Sequence, residues 1–337
     1  MNWQPFRDRL TLAKRILISA HTKIDGDGLG SEQALAHGLR FLGYDVTVMN
    51  PDPLPELFRF IGEDFTQTRY FTETFLEHEL AGYDTLIVVD TSAPKQLPGI
   101  YEIAQRETLQ KLVIDHHAVG GDLTPYAFVD SAAPAAGCLV MSLLQFLGVP
   151  LDYQPAGAEL SIAEYLFFAI ATDTGWFRFP SVQAETFRQA AELMALGVTP
   201  ARLYVYAFEN YSPARIKLTG LVADRAQYAC CGAVAYSYLE WADFQRFHAP
   251  YGETTDLVNT MMMTAGVDVA ILFCEQDNNT VRINFRSRSD FNVAELAKRF
   301  GGGGHVKAAG ATLPGPLGNT IAVVVDTLAQ SGFPRAK

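Results

Sequence analysis

The chain has 337 residues, 49% of them hydrophobic, so it can bury one large core or two ordinary ones, and its length favours two domains. Its net charge of −11 argues against a protein that coats long duplex nucleic acid, because neutralising many phosphates requires a basic surface. No apolar run is long enough to span a membrane, so we expect no membrane partner. The four cysteines show no CxxC spacing and lie in apolar segments, which predicts reduced thiols and a cytoplasmic protein.

Four short apolar segments predict strands in the first part of the chain. They are rich in Val, Ile and Leu, and they lie at 15–20, 45–50, 85–90 and 111–116. Such runs fit strands that are buried on both faces of a parallel sheet. Helical spacing over 31–43 falls between the first two strands. The alternation predicts a doubly wound, mainly parallel α/β domain, which binds ligands beyond the carboxyl ends of its strands.

The second part of the chain changes character. Residues from about 131 to 200 are mainly helical in pattern, and a helix is predicted at 292–300. Strands of a second sheet are predicted at 232–240, 267–276 and 280–287. We therefore predict a doubly wound α/β domain at 1–200, a linker at 201–215 and a smaller α/β domain at 216–337.

Carboxylates and imidazoles follow the predicted strands. His21, Asp25 and Asp27 lie just after the first strand, in a segment whose glycines at 26, 28 and 30 permit a tight turn. Imidazole and carboxylate together suit a divalent transition metal, Mn²⁺ in particular, although an Asp-Gly turn after a strand is often only a turn.

Three further segments bring similar side chains. Asp90 ends the third strand, Asp115, His116 and His117 end the fourth, and Asp173 follows an apolar helix. Each residue alone is compatible with an ordinary strand or helix end. Because the carboxyl ends of parallel strands meet at one edge of a sheet, the four segments together predict a metal site.

These motifs resemble those of the DHH phosphoesterases. The segments "HTKIDGDGLGS", "VVDTS", "DHH" and "TDTGWFRF" occur in the family's order, and "FRSRSDFNVAELAKRFGGGGHVKAAGA" resembles its associated C-terminal domain. Within the family the chain is most similar to the bifunctional oligoribonucleases (nanoRNases) that are also pAp phosphatases. It departs at Lys23-Ile24, where the motif usually has Asn-Pro, and in other loops near the substrate, so the departures bear on specificity rather than on catalysis.

The resemblance implies a site with two ions, usually Mn²⁺, with Mg²⁺ or Co²⁺ as substitutes. The implied ligands are His21, Asp25 and Asp90 for one ion, and Asp27, Asp90, His116 and Asp173 for the other. Asp90 would bridge the ions. The candidate catalytic residues are His117, which would face the scissile phosphate, and Asp115, which would orient an imidazole. Two such ions activate a bridging water for in-line attack on phosphorus.

The C-terminal motif is the candidate substrate-binding region. Residues 281–307 carry six Lys and Arg against two Asp and Glu, which suits a phosphate-binding surface. The candidate contacts are Arg286, Ser287, Gly302, Gly303, Gly304 and His305. The resemblance implies that this domain holds the terminal nucleotide and that the active site lies in the cleft between the domains. The aromatic residues of "GWFRF" could stack on a base, although core packing is the commoner role.

The sequence thus predicts a phosphoester hydrolase of the oligoribonuclease and 3′(2′),5′-bisphosphate nucleotidase type. It would degrade very short single-stranded RNA to mononucleotides and dephosphorylate pAp to AMP. The alternatives are a phosphodiesterase for cyclic dinucleotides or their linear products pGpG and pApA, an inorganic pyrophosphatase, and a non-catalytic nucleotide-binding module. The intact ligand set argues against the last. A homodimer is left open.

Overall fold

The computed structural model describes residues 1–117, 121 and 123–330, apart from the side chain of His305. The chain forms two compact units, Met1–Asn210 and Tyr211–Lys337. No helix in the described part of the chain is both long and apolar enough to cross a membrane.

Six strands and nine α-helices form the described part of the first unit. The strands are β1 Arg15–Ser19, β2 Asp45–Asn50, β3 Arg69–Tyr70, β4 Thr85–Val89, β5 Gln110–Asp115 and β6 Ala127–Val129. The helices are α1 Gln4–Leu10, α2 Gly26–Phe41, α3 Glu63–Gln67, α4 Glu73–His78, α5 Ile100–Ala104, α6 Ala136–Phe146, α7 Ile162–Asp173, α8 Ala184–Ala195 and α9 Pro200–Phe208.

All strands of this sheet are parallel, in the order β3-β2-β1-β4-β5-β6. Alternate residues of β1, β2, β4 and β5 enter different cores. Ile87 and Val89 pack in the core that contains α2, α6 and α7, whereas Leu86 and Val88 pack on the opposite face. Both faces are therefore apolar, which is why the strands read as continuous hydrophobic runs. The predicted doubly wound sheet is confirmed, although the short edge strands β3 and β6 were not predicted.

Helix α2 begins at Gly26, five residues earlier than predicted. The Oδ1 atom of Asp25 caps it by accepting hydrogen bonds from the backbone amides of Asp27 and Gly28, at 3.0 and 3.1 Å. The prediction of a tight turn at these glycines was therefore wrong, because Gly26, Gly28 and Gly30 are all helical. They permit close packing instead: a Cβ at Gly30 would collide with the carbonyl oxygen of Tyr165 in α7.

The second unit contains a mixed sheet with helices on both faces. Its strands are β7 Gln227–Ala229, β8 Val234–Leu239, β9 Val269–Glu275, β10 Thr280–Ser287, β11 Gly303–His305 and β12 Ala308–Pro314, in the order β11-β12-β10-β9-β8-β7. Among the described strands of this second sheet, only β8 and β9 pair in parallel. The helices are α10 Pro213–Asp224, α11 Trp241–Phe247, α12 Asn259–Met262, α13 Val293–Lys298 and α14 Leu317–Gln330.

The three predicted strands of this sheet and its predicted helix are confirmed as β8, β9, β10 and α13. The boundary between the units falls inside the segment 201–215, which we expected to be a linker. Most of that segment is helical, because α9 extends to Phe208 and α10 begins at Pro213. The assignment of separate roles to the two domains, and of a cleft between them, stays a prediction.

Candidate metal and phosphoester site

The strand order places the site residues at one edge of the first sheet. From β1 the chain moves outward through β2 and β3 on one side, and through β4, β5 and β6 on the other. The carboxyl ends of β1 and β4 therefore form a topological switch point, where open α/β sheets bind ligands. His21 follows β1, Asp90 follows β4, and Asp115 is the last residue of β5.

Asp90 lies at the centre of this group. Its Oδ2 atom is 3.4 Å from Nε2 of His21, and its Oδ1 atom is 3.3 Å from Nε2 of His116. The side chain is only 2% exposed, and Oδ1 has no hydrogen-bond partner among the described residues. The backbone of Asp90 is left-handed, with φ of 61°, a conformation that carries strain in a residue with a Cβ. A buried carboxylate oxygen that accepts no hydrogen bond is suited to a cation.

Possible ligand atoms come together in three groups of residues in the described part of the chain. The first consists of His21, Asp25 and Asp90, and the second of Asp27, His116 and Asp173. Nε2 of His116 is 3.6 Å from Asp27 and 3.5 Å from Asp173. The third group consists of Asp90, His116 and His117. The first two groups together contain all six residues that the sequence suggested as ligands.

Asp27 is held by the amino end of another helix. Its carboxylate accepts hydrogen bonds from the backbone amides of Ala136 and Gly137 at 2.6 and 2.9 Å, and from Oγ of Ser31 at 3.1 Å. Ala135, at the N-cap of α6, has no side chain that could cap the helix. Asp27 therefore caps α6 from a different element, which fixes its position.

The two ligand histidines are oriented by backbone carbonyls. Nδ1 of His21 lies 2.8 Å from the carbonyl oxygen of Thr22, and Nδ1 of His116 lies 3.2 Å from that of Ala133. A proton on Nδ1 can be donated to each carbonyl, which leaves the Nε2 lone pair for a metal. Both Nε2 atoms face the carboxylates.

The cluster is short of positive charge. Burial raises the pKa of Asp27 well above its usual value, and the charges of Asp90 and Asp173 add to this effect. Burial also raises the pKa of Asp173, to about 6. Burial lowers the pKa of His21, but hydrogen bonds and charges from the nearby carboxylates outweigh it and raise that pKa to about 11. Divalent cations would supply the positive charge that these carboxylates lack.

Asp115 orients His117 and not His116. The fully buried Oδ1 atom of Asp115 accepts hydrogen bonds from the amide and from Nδ1 of His117, at 3.0 and 2.8 Å. Its Oδ2 atom accepts one from Oγ of Ser92 at 2.7 Å. The hydrogen bond to Asp115 raises the pKa of His117, because it stabilises the imidazolium. His117 is partly exposed and fixed in orientation, as a group that meets a substrate should be.

Sequence reasoning missed several polar residues that hold these turns. Oδ1 of Asn50 accepts from the amide of Ala20 at 3.0 Å, next to His21. Asp52 accepts from the hydroxyl of Thr22 and the amide of Lys23. Asn50 ends β2, and Asp52 lies two residues beyond it. Their place at the carboxyl end of a strand is the signal that could have found them.

The candidate substrate residues of the second unit have internal partners. Nη2 of Arg286 pairs with the exposed carboxylate of Asp256 at 2.9 Å. The mostly buried Ser287 donates from Oγ to the carbonyl oxygen of Ser289 at 3.0 Å. The side chain of His305 lies outside the described part of the chain, so nothing follows for its role.

The glycine run is partly a β-strand and not an open loop. Gly303 and Gly304 belong to β11, which pairs with β12. The amide of Gly302 donates to the carbonyl oxygen of Ala297 at 2.9 Å and is therefore not free to bind a phosphate. A Cβ at Gly302 would collide with the carbonyl oxygen of Gly310, whereas one at Gly303 would meet open space. Gly302 thus permits close strand packing, and Gly303 leaves the surface open.

Comparison with known proteins agrees with the motifs. A bifunctional oligoribonuclease and PAP phosphatase NrnA from Thermus thermophilus is 29% identical over 305 residues, which cover 89% of this chain and 84% of that protein. The protein of the same description from Bacillus subtilis is 24% identical over 309 residues, which cover 90% of this chain and 91% of its own.

The fold has a close counterpart among solved structures. An exopolyphosphatase-related protein from Bacteroides fragilis superposes with a TM-score of 0.88 at 23% identity, covering 97% of this chain and 95% of that one. The description "DHH family, N-terminal domain" matches residues 15–170, and "DHHA1 domain" matches residues 232–330. The resemblance seen in the sequence is confirmed. The chain belongs to the DHH family, with the family's N-terminal domain followed by a DHHA1 domain.

Proposed function

We propose that this chain is a metal-dependent phosphohydrolase that degrades very short RNA to mononucleotides and converts pAp to AMP. The observation that carries the proposal is the buried Asp90, whose two oxygens face His21 and His116 at the switch point of the sheet. The names of the relatives from Thermus thermophilus and Bacillus subtilis supply the substrate class. Their similarity extends over about nine-tenths of the chain, so both units are included.

The residues fit two divalent ions that share Asp90. His21, Asp25 and Asp90 would hold one ion, and Asp27, Asp90, His116 and Asp173 the other. Three observations support this assignment: Oδ1 of Asp90 accepts no hydrogen bond, the pKa of Asp27 is raised, and the Nε2 atoms of His21 and His116 are available. Imidazole and carboxylate donors favour Mn²⁺, with Mg²⁺ or Co²⁺ as substitutes. Ions bound in this way lower the pKa of a coordinated water and stabilise charge at phosphorus.

The chain's own residues would position and protonate the substrate. Asp115 holds Nδ1–H of His117, so Nε2 of His117 is the atom directed away from that carboxylate. With its pKa raised, the imidazolium keeps a proton on Nε2 that can be donated to a phosphate oxygen or to the leaving ribose oxygen. Asp115 is a positioning residue, since its oxygens are fully occupied by His117 and Ser92.

The second unit would bind the substrate phosphate. Arg286 is the main candidate, because its partner Asp256 is more than half exposed and a phosphate can replace it. Ser287, Gly303, Gly304 and His305 complete the proposed contacts, whereas Gly302 is left out because its amide is bound to Ala297. A cytoplasmic location is proposed on the four free thiols, since Cys231 is exposed and would be oxidised outside a reducing compartment.

The test is product analysis with and without Mn²⁺ on 5′-phosphorylated RNA of two to about ten nucleotides, pAp, a cyclic dinucleotide and pyrophosphate. We expect Mn²⁺-dependent release of mononucleotides from the shortest RNA and of AMP from pAp, with no turnover by His116→Ala. The matched control is His78→Ala, because His78 is an exposed histidine at the end of α4. Turnover of the cyclic dinucleotide alone, or of pyrophosphate alone, would reassign the substrate, and no turnover of any would indicate a binding module.

Arg286→Ala separates binding from chemistry. We expect a higher KM for the shortest RNA and an unchanged kcat, because Arg286 lies outside the metal-ligand groups. An unchanged KM with a lower kcat would contradict the role given to the second unit.

A further inference from the structure

The chain makes an unusual turn directly after the candidate ligand Asp173. Gly175, Trp176 and Phe177 are three consecutive left-handed residues, with φ of 57°, 59° and 63°. This backbone is disfavoured in residues with a Cβ, and most of all in bulky ones. Strain of this kind persists where the surrounding structure enforces it, and it is concentrated at functional sites.

The aromatic side chains of the turn differ in their burial. Trp176 and Phe177 are partly buried, and their rings contact Phe167, Phe187, Tyr204 and Phe208. Phe179 is 48% exposed, and it makes no ring contact with another aromatic side chain in the described part of the chain. Its ring lies against the backbone of Gly175, where a Cβ would collide with it. Two rings therefore anchor the turn, while the third is held in place and open to solvent.

The turn that carries the open ring begins directly after the candidate ligand Asp173. The backbone amides of Arg178 and Phe179 both donate to the carbonyl oxygen of Thr174, at 2.9 and 3.0 Å, and Thr174 follows Asp173 in the chain. Nε of Arg178 donates to the carbonyl oxygen of Gly175 at 2.7 Å. Arg178 is exposed, and it forms no ion pair with a carboxylate among the described residues. A cation and an exposed aromatic ring thus follow the candidate ligand Asp173 by five and six residues, in a turn whose backbone is held by its own hydrogen bonds.

We propose that Phe179 and Arg178 form a nucleoside subsite in the first unit. The ring of Phe179 stacks on the base of the nucleotide whose phosphate is cleaved, and the guanidinium of Arg178 donates to one of its phosphate or ribose oxygens. The inference rests on the proposed function and deepens it. A metal centre alone could hydrolyse any small phosphate ester. The subsite would make the enzyme prefer phosphate esters that carry a base, and it would not distinguish one base from another.

The test combines variants with two substrates. These are the dinucleotide pApA and an analogue in which hydrogen replaces both adenines. Phe179→Leu keeps apolar volume but removes stacking, and we expect it to raise the KM for pApA about tenfold while leaving the KM for the analogue unchanged. Phe179→Tyr should restore the wild-type KM. The matched control is Phe146→Leu. Phe146 is similarly exposed, and it is the last residue of α6, whose opposite end is capped by Asp27.

An equal effect on both substrates, or on neither, would overturn the subsite. Calorimetric titration of AMP into wild-type and Phe179→Leu protein with Mn²⁺ gives a second readout that needs no turnover. We expect about tenfold weaker AMP binding by the variant, and equal binding would again overturn the inference. If wild-type protein cleaves neither substrate, the proposed function fails, and the AMP titration still decides the subsite.

Discussion

Replacing Glu32 by glutamine should make the protein more stable at neutral and alkaline pH. Glu32 lies in α2 and is fully buried. Its Oε1 atom accepts a hydrogen bond from Nδ2 of Asn50 at 2.9 Å, and Oε2 has no hydrogen-bond partner among the described residues. Burial raises the pKa of Glu32 to about 8, against the smaller opposing effect of the hydrogen bond from Asn50. The folded protein therefore holds a neutral carboxyl at pH 7.

The magnitude follows from the difference between the two pKa values. The usual pKa of a glutamate is 4.5, and that of the folded protein is about 8. Between these values the unfolded chain releases a proton that the folded chain retains. The free energy of unfolding then falls as pH rises, by about 1.4 kcal/mol per pH unit and about 5 kcal/mol in total. Below 4.5 both states are protonated, and above 8 both are ionised, so the slope is confined to this window.

The Glu32→Gln variant lacks this slope because its side chain is neutral in both states. Its amide oxygen can still accept the hydrogen bond from Asn50, so the two proteins should have similar stability near pH 4.5. Urea unfolding in EDTA, at each pH unit from 5 to 9, should show the variant gaining about 1.4 kcal/mol per unit over wild type up to pH 8. Glu107→Gln, at an exposed position, should follow wild type. A constant difference between Glu32→Gln and wild type across this range would refute the reasoning.

Three other predictions concern the site and the glycine run. Asp90→Asn should abolish Mn²⁺ binding and turnover but raise the stability of the protein in EDTA, because it removes a buried carboxylate from an acidic cluster. Metal analysis measures the bound Mn²⁺, and thermal unfolding measures the stability. Retained Mn²⁺ would exclude the bridging role. Asp115→Asn should lower kcat about 10- to 100-fold with unchanged metal content, since it loosens His117 only; loss of metal would show that its role is different. Gly302→Ala should destabilise the protein by about 1–3 kcal/mol in urea unfolding, because the new Cβ meets a carbonyl oxygen. Gly303→Ala should destabilise it by less than about 0.5 kcal/mol, because its Cβ meets open space. Equal losses of stability would contradict the strand packing.

Much of the fold and the set of polar residues at the sheet edge followed from local sequence. Continuous apolar runs predicted β1, β2, β4 and β5 within a residue of their observed ends, because a strand buried on both faces needs apolar residues at consecutive positions. The edge strands β3 and β6 were missed because they have two and three residues and carry little pattern. His21, Asp90 and His116 could be grouped without a structure, since parallel strands end at a shared edge.

The sequence alone therefore determined the parallel sheet, the edge that bears the site and the chemical character of the cluster, all of which depend on neighbouring residues in the chain. Tertiary structure alone decided what holds the cluster in place. Asp27 caps a helix whose first residue is 109 positions away, and the glycines of α2 serve its packing against α7. It also decided which aromatic residues of the "GWFRF" turn are buried and which one is open. These outcomes depend on contacts between distant segments, which periodicity and residue spacing do not encode.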